Sequence, residues 1–232
     1  MHSAALSVLF PAPVVVVESR EPGDPAELLA DEAHYVAHAR LKRLQEFAAG
    51  RACARAALAH FGVHGFALRA ADDRQPLWPA GYVGSITHTT GLCAAAVAAR
   101  TDILALGLDS ERVGAPTPDI WSTICREEEL AWVASLAADE RPAAVTLLFS
   151  AKEAFYKCQY PLVTEWLDFH DLRIEVPDWG ESTGVFRTHA MRDLRFSRYA
   201  VMPPGRYLFH EQFVSAGVAA AADAAMTAPP GQ

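Results

Sequence analysis

Lysine is scarce in this sequence. Of its 20 basic residues only three are lysine, at positions 42, 152 and 157, and seventeen are arginine. Two of those three flank Glu153 in the stretch FSAKEAFYK, residues 149–157. Cysteine is sparse too: Cys53, Cys93, Cys125 and Cys158 stand more than thirty residues apart, with no C-x-x-C pair. That spacing excludes a disulfide framework or a thiolate metal site and predicts scattered reduced thiols. Long apolar runs are missing. The nearest is VVVV at 14–17, but Pro11 and Pro13 interrupt it and no Lys or Arg precedes it. It reads as neither a secretory signal nor a membrane span, which needs about 18 apolar residues. The expectation is a cytoplasmic protein with no membrane partner. Net positive charge is lacking as well: the total is −8, which speaks against nucleic acid or an anionic membrane as a general partner. A local basic pocket is compatible with that total.

What is present suits a globular protein. The 232 residues, 51% apolar and 21% charged, suffice for one large domain or two small ones with a real core. The segment Asp31 to Phe61 is rich in Ala, Leu and Arg, free of Pro, and predicts a helix ending at Gly62. The loop ADDRQPLWPAG follows, broken by two prolines. YVGSITHT and GLCAAAVAA then read as strands about a Thr90-Gly91 turn, and ILALGLDSERV as a third. REEELAWVASL and VTLLFSAKEAFYK read as helices. LRIEV, GVFRTHAM and RYLFHEQFVSAGVAAAA read as strands. This order predicts an α+β fold, with residues 1–102 as one half, 103–222 as the other, and a disordered tail at 223–232.

Two carboxylates close the third strand. In GLDSE, the period of two sends Asp109 and Glu111 to one face and Leu108 and Ser110 to the other. Either they are surface acids on a strand running into solvent, or a cation such as Mg²⁺ relieves their repulsion. Glu153 is ambiguous in its own way. Ser150-Ala-Lys-Glu153 fits an S-x-x-E capping box at a helix start, and Glu153 with Lys157 makes a favourable i,i+4 pair. Capping leaves Lys152 unexplained. A cation in a first helical turn opposes the dipole, at about 0.3–1 kcal/mol, unless an anion such as phosphate sits there.

Other basic groups leave the same choice. Arg51 and Arg55 lie one turn apart on a helix face, either as two solvated arginines or as partners of one anion. His88, in Ser85-Ile-Thr87-His88, reads as structural or ligand-binding, and Arg74 as an ordinary loop residue.

Taken together, FAAGRACARAAL, DDRQPLWP, GSITHT, LGLDSE and FSAKEAFYKCQYPL resemble the 4′-phosphopantetheinyl transferases of the siderophore- and surfactin-synthesis type. The specific part is G-x-D-x-E followed some forty residues later by K-E-A-x-x-K, behind S-x-T-H and W-P; the similarity spans roughly residues 40–175. It implies a pseudo-twofold pair of α+β halves with the site in the cleft between them. The N-terminal half would serve the coenzyme A nucleotide, the C-terminal half the metal and the chemistry. Asp109, Glu111 and Glu153 would hold Mg²⁺; Glu153, Lys157 and Asp109 would be catalytic. Lys152 and Lys157 would neutralise the pyrophosphate, while Arg51, Arg55, Arg74, Ser85, Thr87 and His88 would bind the 3′-phosphate and nucleotide. The implied substrates are coenzyme A and a serine of an apo acyl or peptidyl carrier protein, served by a monomer.

The sequence departs from the family pattern at Gln75, where glycine is common, at Thr87 for serine, and at Ser110, where a small apolar residue is commoner. Carrier proteins are typically acidic, so a −8 chain needs a local apolar or arginine-lined docking patch. Residues near the loop after Pro116 or beside the Lys157 helix are candidates. Two other readings use the same residues: a Mg²⁺-dependent phosphodiesterase or nucleotidase, with water as nucleophile, and a non-catalytic coenzyme A or carrier-protein binder.

Overall fold

The protein is described by a computed structural model covering residues 5–222; the expectation for the 223–232 tail lies outside the described residues. The described residues open with a 3₁₀ turn, Ala5–Leu9, and strand β1, Val15–Ser19, which contains three of the four valines of the run. The sequence reading assigns these valines no element; pairing with Cys93–Val97 makes them a strand. Helix α1 is short, Ala30–Ala33, and helix α2 runs Leu41–Ala59. The single helix expected from Asp31 is therefore broken, because Arg40 is extended and Glu32 anchors the short turn elsewhere. The Glu32 carboxylate is fully buried and accepts the Leu29 and Leu68 amides and the Arg55 guanidinium.

Strands β2, Tyr82–Thr89, and β3, Leu92–Ala99, complete an antiparallel sheet of order β1-β3-β2. Strand β3 is apolar throughout because both faces are covered. Cys93, Ala95 and Val97 pack with α2, while Ala94, Ala96 and Ala98 pack with Leu6, Leu9, Leu106 and Leu108. This second layer joins the two halves.

The C-terminal half contains strand β4, Ile103–Arg112, and helices α3, Trp121–Ile124, α4, Glu127–Ser135, and α5, Arg141–Val163. Strands β5, Leu172–Glu175, β6, Thr183–Ala190, β7, Gly205–His210, and β8, Phe213–Ala221, follow, in the sheet order β4-β8-β7-β6-β5. The fold is α+β, and each half sets one long helix against an antiparallel sheet. No helix among the described residues is long and apolar enough to cross a membrane.

Helix α5 corrects the reading of FSAKEAFYK. It begins at Arg141, so Ser150 lies mid-helix, buried and with an unpartnered hydroxyl. No capping box exists there, Lys152 is not in a first turn, and the dipole argument for a phosphate falls with it.

Candidate active site

The site begins where α5 crosses β4. A Cβ on Gly107 would lie 1.9 Å from the Ala154 carbonyl oxygen, so only glycine lets helix and strand approach this closely. With period two along β4, Gly107, Asp109 and Glu111 share the face toward α5. On α5, Glu153 and Lys157 are one turn apart and meet that face. Lys157 Nζ lies 2.7 Å from Asp109 Oδ1 and also donates to the Leu108 carbonyl. Across the seam, Thr87 donates to the same Asp109 oxygen at 3.4 Å. Asp109 Oδ2 is buried with no partner.

Electrostatics bind this group together. Burial, and then Asp109, push the Glu111 carboxyl up to about 7. The same two causes raise Glu153, against the pull of Lys157. Burial would lower Lys157, but Asp109, with Glu153 and Glu111 behind it, holds its ammonium above the usual lysine range. Three acids thus face one lysine, burial raises two of them, and cationic charge at the group is short.

That shortage is the test for a metal. Among the described residues, no three His, Cys, Asp or Glu side chains are grouped so as to hold a metal ion. The fit to Mg²⁺ is therefore one of donor chemistry and charge: hard carboxylate oxygens, an excess of negative charge, and the orphaned Asp109 Oδ2. It is not one of preformed coordination geometry.

Beside the acids lies a cleft of about 810 Å³ between α2, β2, the 70–76 loop and α5. Arg43, Arg51, Arg74 and Lys157 line it, against Glu46, Asp72 and Asp73, a local balance opposite in sign to the whole chain. Arg51 is anchored at 2.7 Å to the Leu68 carbonyl and lies 4.1 Å over the Phe47 ring. Burial brings its guanidinium down to about 10. Arg74 adopts φ +72° in the loop where the departure at Gln75 had raised doubt. A non-glycine residue in that region is strained. His88 accepts from Arg43 at 2.7 Å through Nε2; burial, then Arg43, lower its pKa below the ordinary histidine value.

Several expected ligands are placed otherwise. Lys152 is 1% exposed and points into the C-terminal half, not the cleft. It donates to Glu129 at 2.6 Å and to the Ile124 carbonyl at 2.8 Å, while Glu129 also accepts the Arg126 and Ile174 amides. This is a correction: Lys152 locks α4, α5 and β5 together and does not reach the Lys157 cluster. Arg55 is likewise paired, with Glu32 at 2.6 Å and the Glu27 carbonyl, and is not among the cleft-lining residues. Its guanidinium is taken up by that carboxylate, so Arg51 and Arg55 do not share one anion here. The Ser85 and Thr87 hydroxyls are buried and accept the Leu108 and Ser110 amides at 3.0 and 2.9 Å. They stitch β2 to β4, although Ser85 still borders the cleft.

Comparison with known proteins identifies the family. Residues 31–98 match the 4′-phosphopantetheinyl transferase N-terminal domain, and residues 105–212 the 4′-phosphopantetheinyl transferase superfamily. The 4′-phosphopantetheinyl transferase Npt of Nocardia iowensis is 33% identical over 80% of this chain and 83% of its own. The chain belongs to the 4′-phosphopantetheinyl transferase superfamily. Svp of Streptomyces mobaraensis is 45% identical over 70% of this chain and 67% of its own, and PptT of Mycobacterium tuberculosis 36% over 65% and 67%.

In this transferase, sequence reasoning missed Arg43 and Phe47, which line the cleft with Arg51. The signal was available: residues 43, 47 and 51 are four apart on one helical stripe. It also missed Tyr156, Tyr160 and Trp166 at the cleft edge. Tyr156 stacks on Tyr160 at 5.1 Å and meets Trp166 edge-on at 5.7 Å. Trp166 is 75% exposed, and nothing in its local sequence marks it.

Proposed function

We propose that this transferase moves the 4′-phosphopantetheine arm of coenzyme A onto a serine of an apo acyl or peptidyl carrier protein, with Mg²⁺, releasing 3′,5′-ADP. One juxtaposition carries the reading. Lys157 lines an arginine-edged cleft of about 810 Å³ and sets its ammonium 2.7 Å from Asp109, with Glu111 and Glu153 both close enough for Asp109 to raise them.

The chemistry asks for little else. The serine oxygen forms a bond to the β-phosphorus, the bridging bond to the nucleotide side breaks, and the serine proton leaves. Arg43, Arg51 and Arg74 would hold the nucleotide and its 3′-phosphate. Lys157 would neutralise charge that builds on the diphosphate, since a compact ammonium on a flexible stem can follow it. Glu153, raised above the usual carboxylate range by burial and by Asp109, would take the serine proton. Asp109, Glu111 and Glu153 would hold the Mg²⁺, which when bound supplies further neutralisation of the diphosphate oxygens.

The test is incubation with coenzyme A, Mg²⁺ and a panel of apo-carriers, followed by intact mass. The expected result is a gain of one phosphopantetheine on the carrier serine. Release of pantetheine phosphate without any carrier would instead reveal a phosphodiesterase. Binding of coenzyme A with neither product would leave a non-catalytic binder.

A further inference from the structure

The face of β4 turned away from the acids carries an ordered polar chain. Ser110 sits between Asp109 and Glu111 in sequence, yet its side chain projects to the opposite side. It is fully buried, and its hydroxyl lies 2.7 Å from that of Ser215 on β8, also fully buried. Ser215 Oγ lies 3.0 Å from His210 Nε2, and His210 Nδ1 lies 3.3 Å from Arg20 Nη2. Arg20 follows β1 in the other half of the molecule, leans 5.0 Å over the Phe213 ring and lies 3.8 Å from Glu18.

The chemistry of the donors fixes the direction of the chain. A guanidinium only donates, so His210 Nδ1 must accept. The neutral ring then carries its proton on Nε2 and donates it to Ser215 Oγ, which leaves the Ser215 hydroxyl proton free for Ser110. The layer beneath these hydroxyls is largely apolar, built from Leu6, Leu9, Phe10, Leu106 and Leu108. Polar groups are placed there at a cost, and a satisfied chain in low dielectric specifies one arrangement.

We propose that Arg20, His210 and Ser215 act through Ser110 as positioning residues for the acid-bearing end of β4, and that the chain holds only while His210 is neutral. Protonating His210 would set a ring N–H against the Arg20 N–H groups and place two cations side by side. The groups facing the ring are Arg20, which opposes its protonation, and Glu18 and Glu211, which favour it. Burial, then Arg20, win, so the ring titrates below the ordinary histidine value. The linkage has a definite sign: the folded pKa is depressed, so this contribution is intact above the unfolded value of 6.5 and is lost as pH falls through the lowered folded value. The first group whose position follows would be the Asp109–Glu111 pair, so the kinetic arm below rests on the reading of that pair given under Proposed function.

The test compares Ser110→Ala, Ser215→Ala and His210→Gln with the unaltered protein in the carrier-loading assay across about pH 5.5 to 8. Each variant is expected to lose about tenfold in kcat through displaced reacting groups, with KM for coenzyme A unchanged because the cleft residues are untouched. In His210→Gln the acid limb should also lose one protonation step. Full kcat in Ser110→Ala and Ser215→Ala, or an unchanged acid limb in His210→Gln, overturns the proposal. If His210→Gln does not fold, nitrogen-resolved NMR of the histidine rings in the unaltered protein replaces it. A His210 ring protonated on Nε2 alone near pH 8, turning cationic in step with the loss of kcat, supports the chain; a proton on Nδ1 there refutes it. An unaltered protein that loads no carrier would overturn the proposed function instead and leave the NMR result standing.

Discussion

Lys152 and Lys157 lie on one helix, five residues apart, and live in opposite environments. Lys152 is 1% exposed and bonded to Glu129 and the Ile124 carbonyl. Lys157 keeps 29% of its side chain accessible and meets the acid cluster at the cleft. At roughly 100° per residue, five residues turn the helix by about 140°, so the two cannot serve one ligand. Glu153 and Lys157, four apart, can. The comparison teaches that scarcity of a residue type marks positions that matter without saying how: one lysine stabilises the fold, the other equips the site.

Glu153→Gln should give the largest effect, a loss of about 10³-fold or more in transfer, with circular dichroism unchanged because no helix cap is involved. Lys157→Met should behave similarly and should raise KM for coenzyme A as well, read by initial rates. Lys152→Met should do the reverse. Leaving Glu129 buried without its cation is expected to cost about 3–5 kcal/mol of stability, seen in denaturant melts. Protein that stays folded should still bind coenzyme A. Should Lys152→Met keep its melting point and lose coenzyme A affinity, the division between the two faces collapses.

The acids sharpen the same contrast through pH. Glu111 is raised to about 7 by burial and Asp109, so the folded state holds its proton more tightly than the unfolded chain. Its contribution to stability is therefore full below about 4.5 and lost as pH rises toward 7. Glu111→Gln should stabilise the metal-free protein by about 1–3 kcal/mol at pH 8 and hardly at all at pH 5, measured by thermal melts. The smallest effect is expected at Arg74→Gly: relief of φ +72° should add about 0.5–1 kcal/mol of stability while KM for coenzyme A rises.

Much of this was legible in the residues. The strands at Tyr82–Thr89 and Leu92–Ala99 follow from apolar runs around a Thr-Gly turn. The pairing of Asp109 with Glu111 on one face follows from a strand's period alone. The start of α5 did not: VTLLFSAKEAFYK reads as one helix while S-x-x-E imitates a helix start at Ser150, and packing of 141–149 into the core decides for the longer helix. Arg55 was misread for a related reason. Its helical spacing from Arg51 was right, but its carboxylate partner Glu32 lies 23 residues away.

What the sequence by itself determined is whatever repeats with the backbone: which segments, β1 and the break before Leu41 aside, are helix or strand, which side chains share a face, and the G-x-D-x-E and K-E-A-x-x-K pattern that marks the family. What only the tertiary structure decided is which polar groups are already satisfied. Glu129 claims Lys152, Glu32 claims Arg55, the Leu108 and Ser110 amides claim Ser85 and Thr87, and Ser215 meets Ser110 across 105 residues of chain. Local spacing cannot carry that information, because a buried hydrogen bond depends on distance and desolvation in space, and chain separation enters neither.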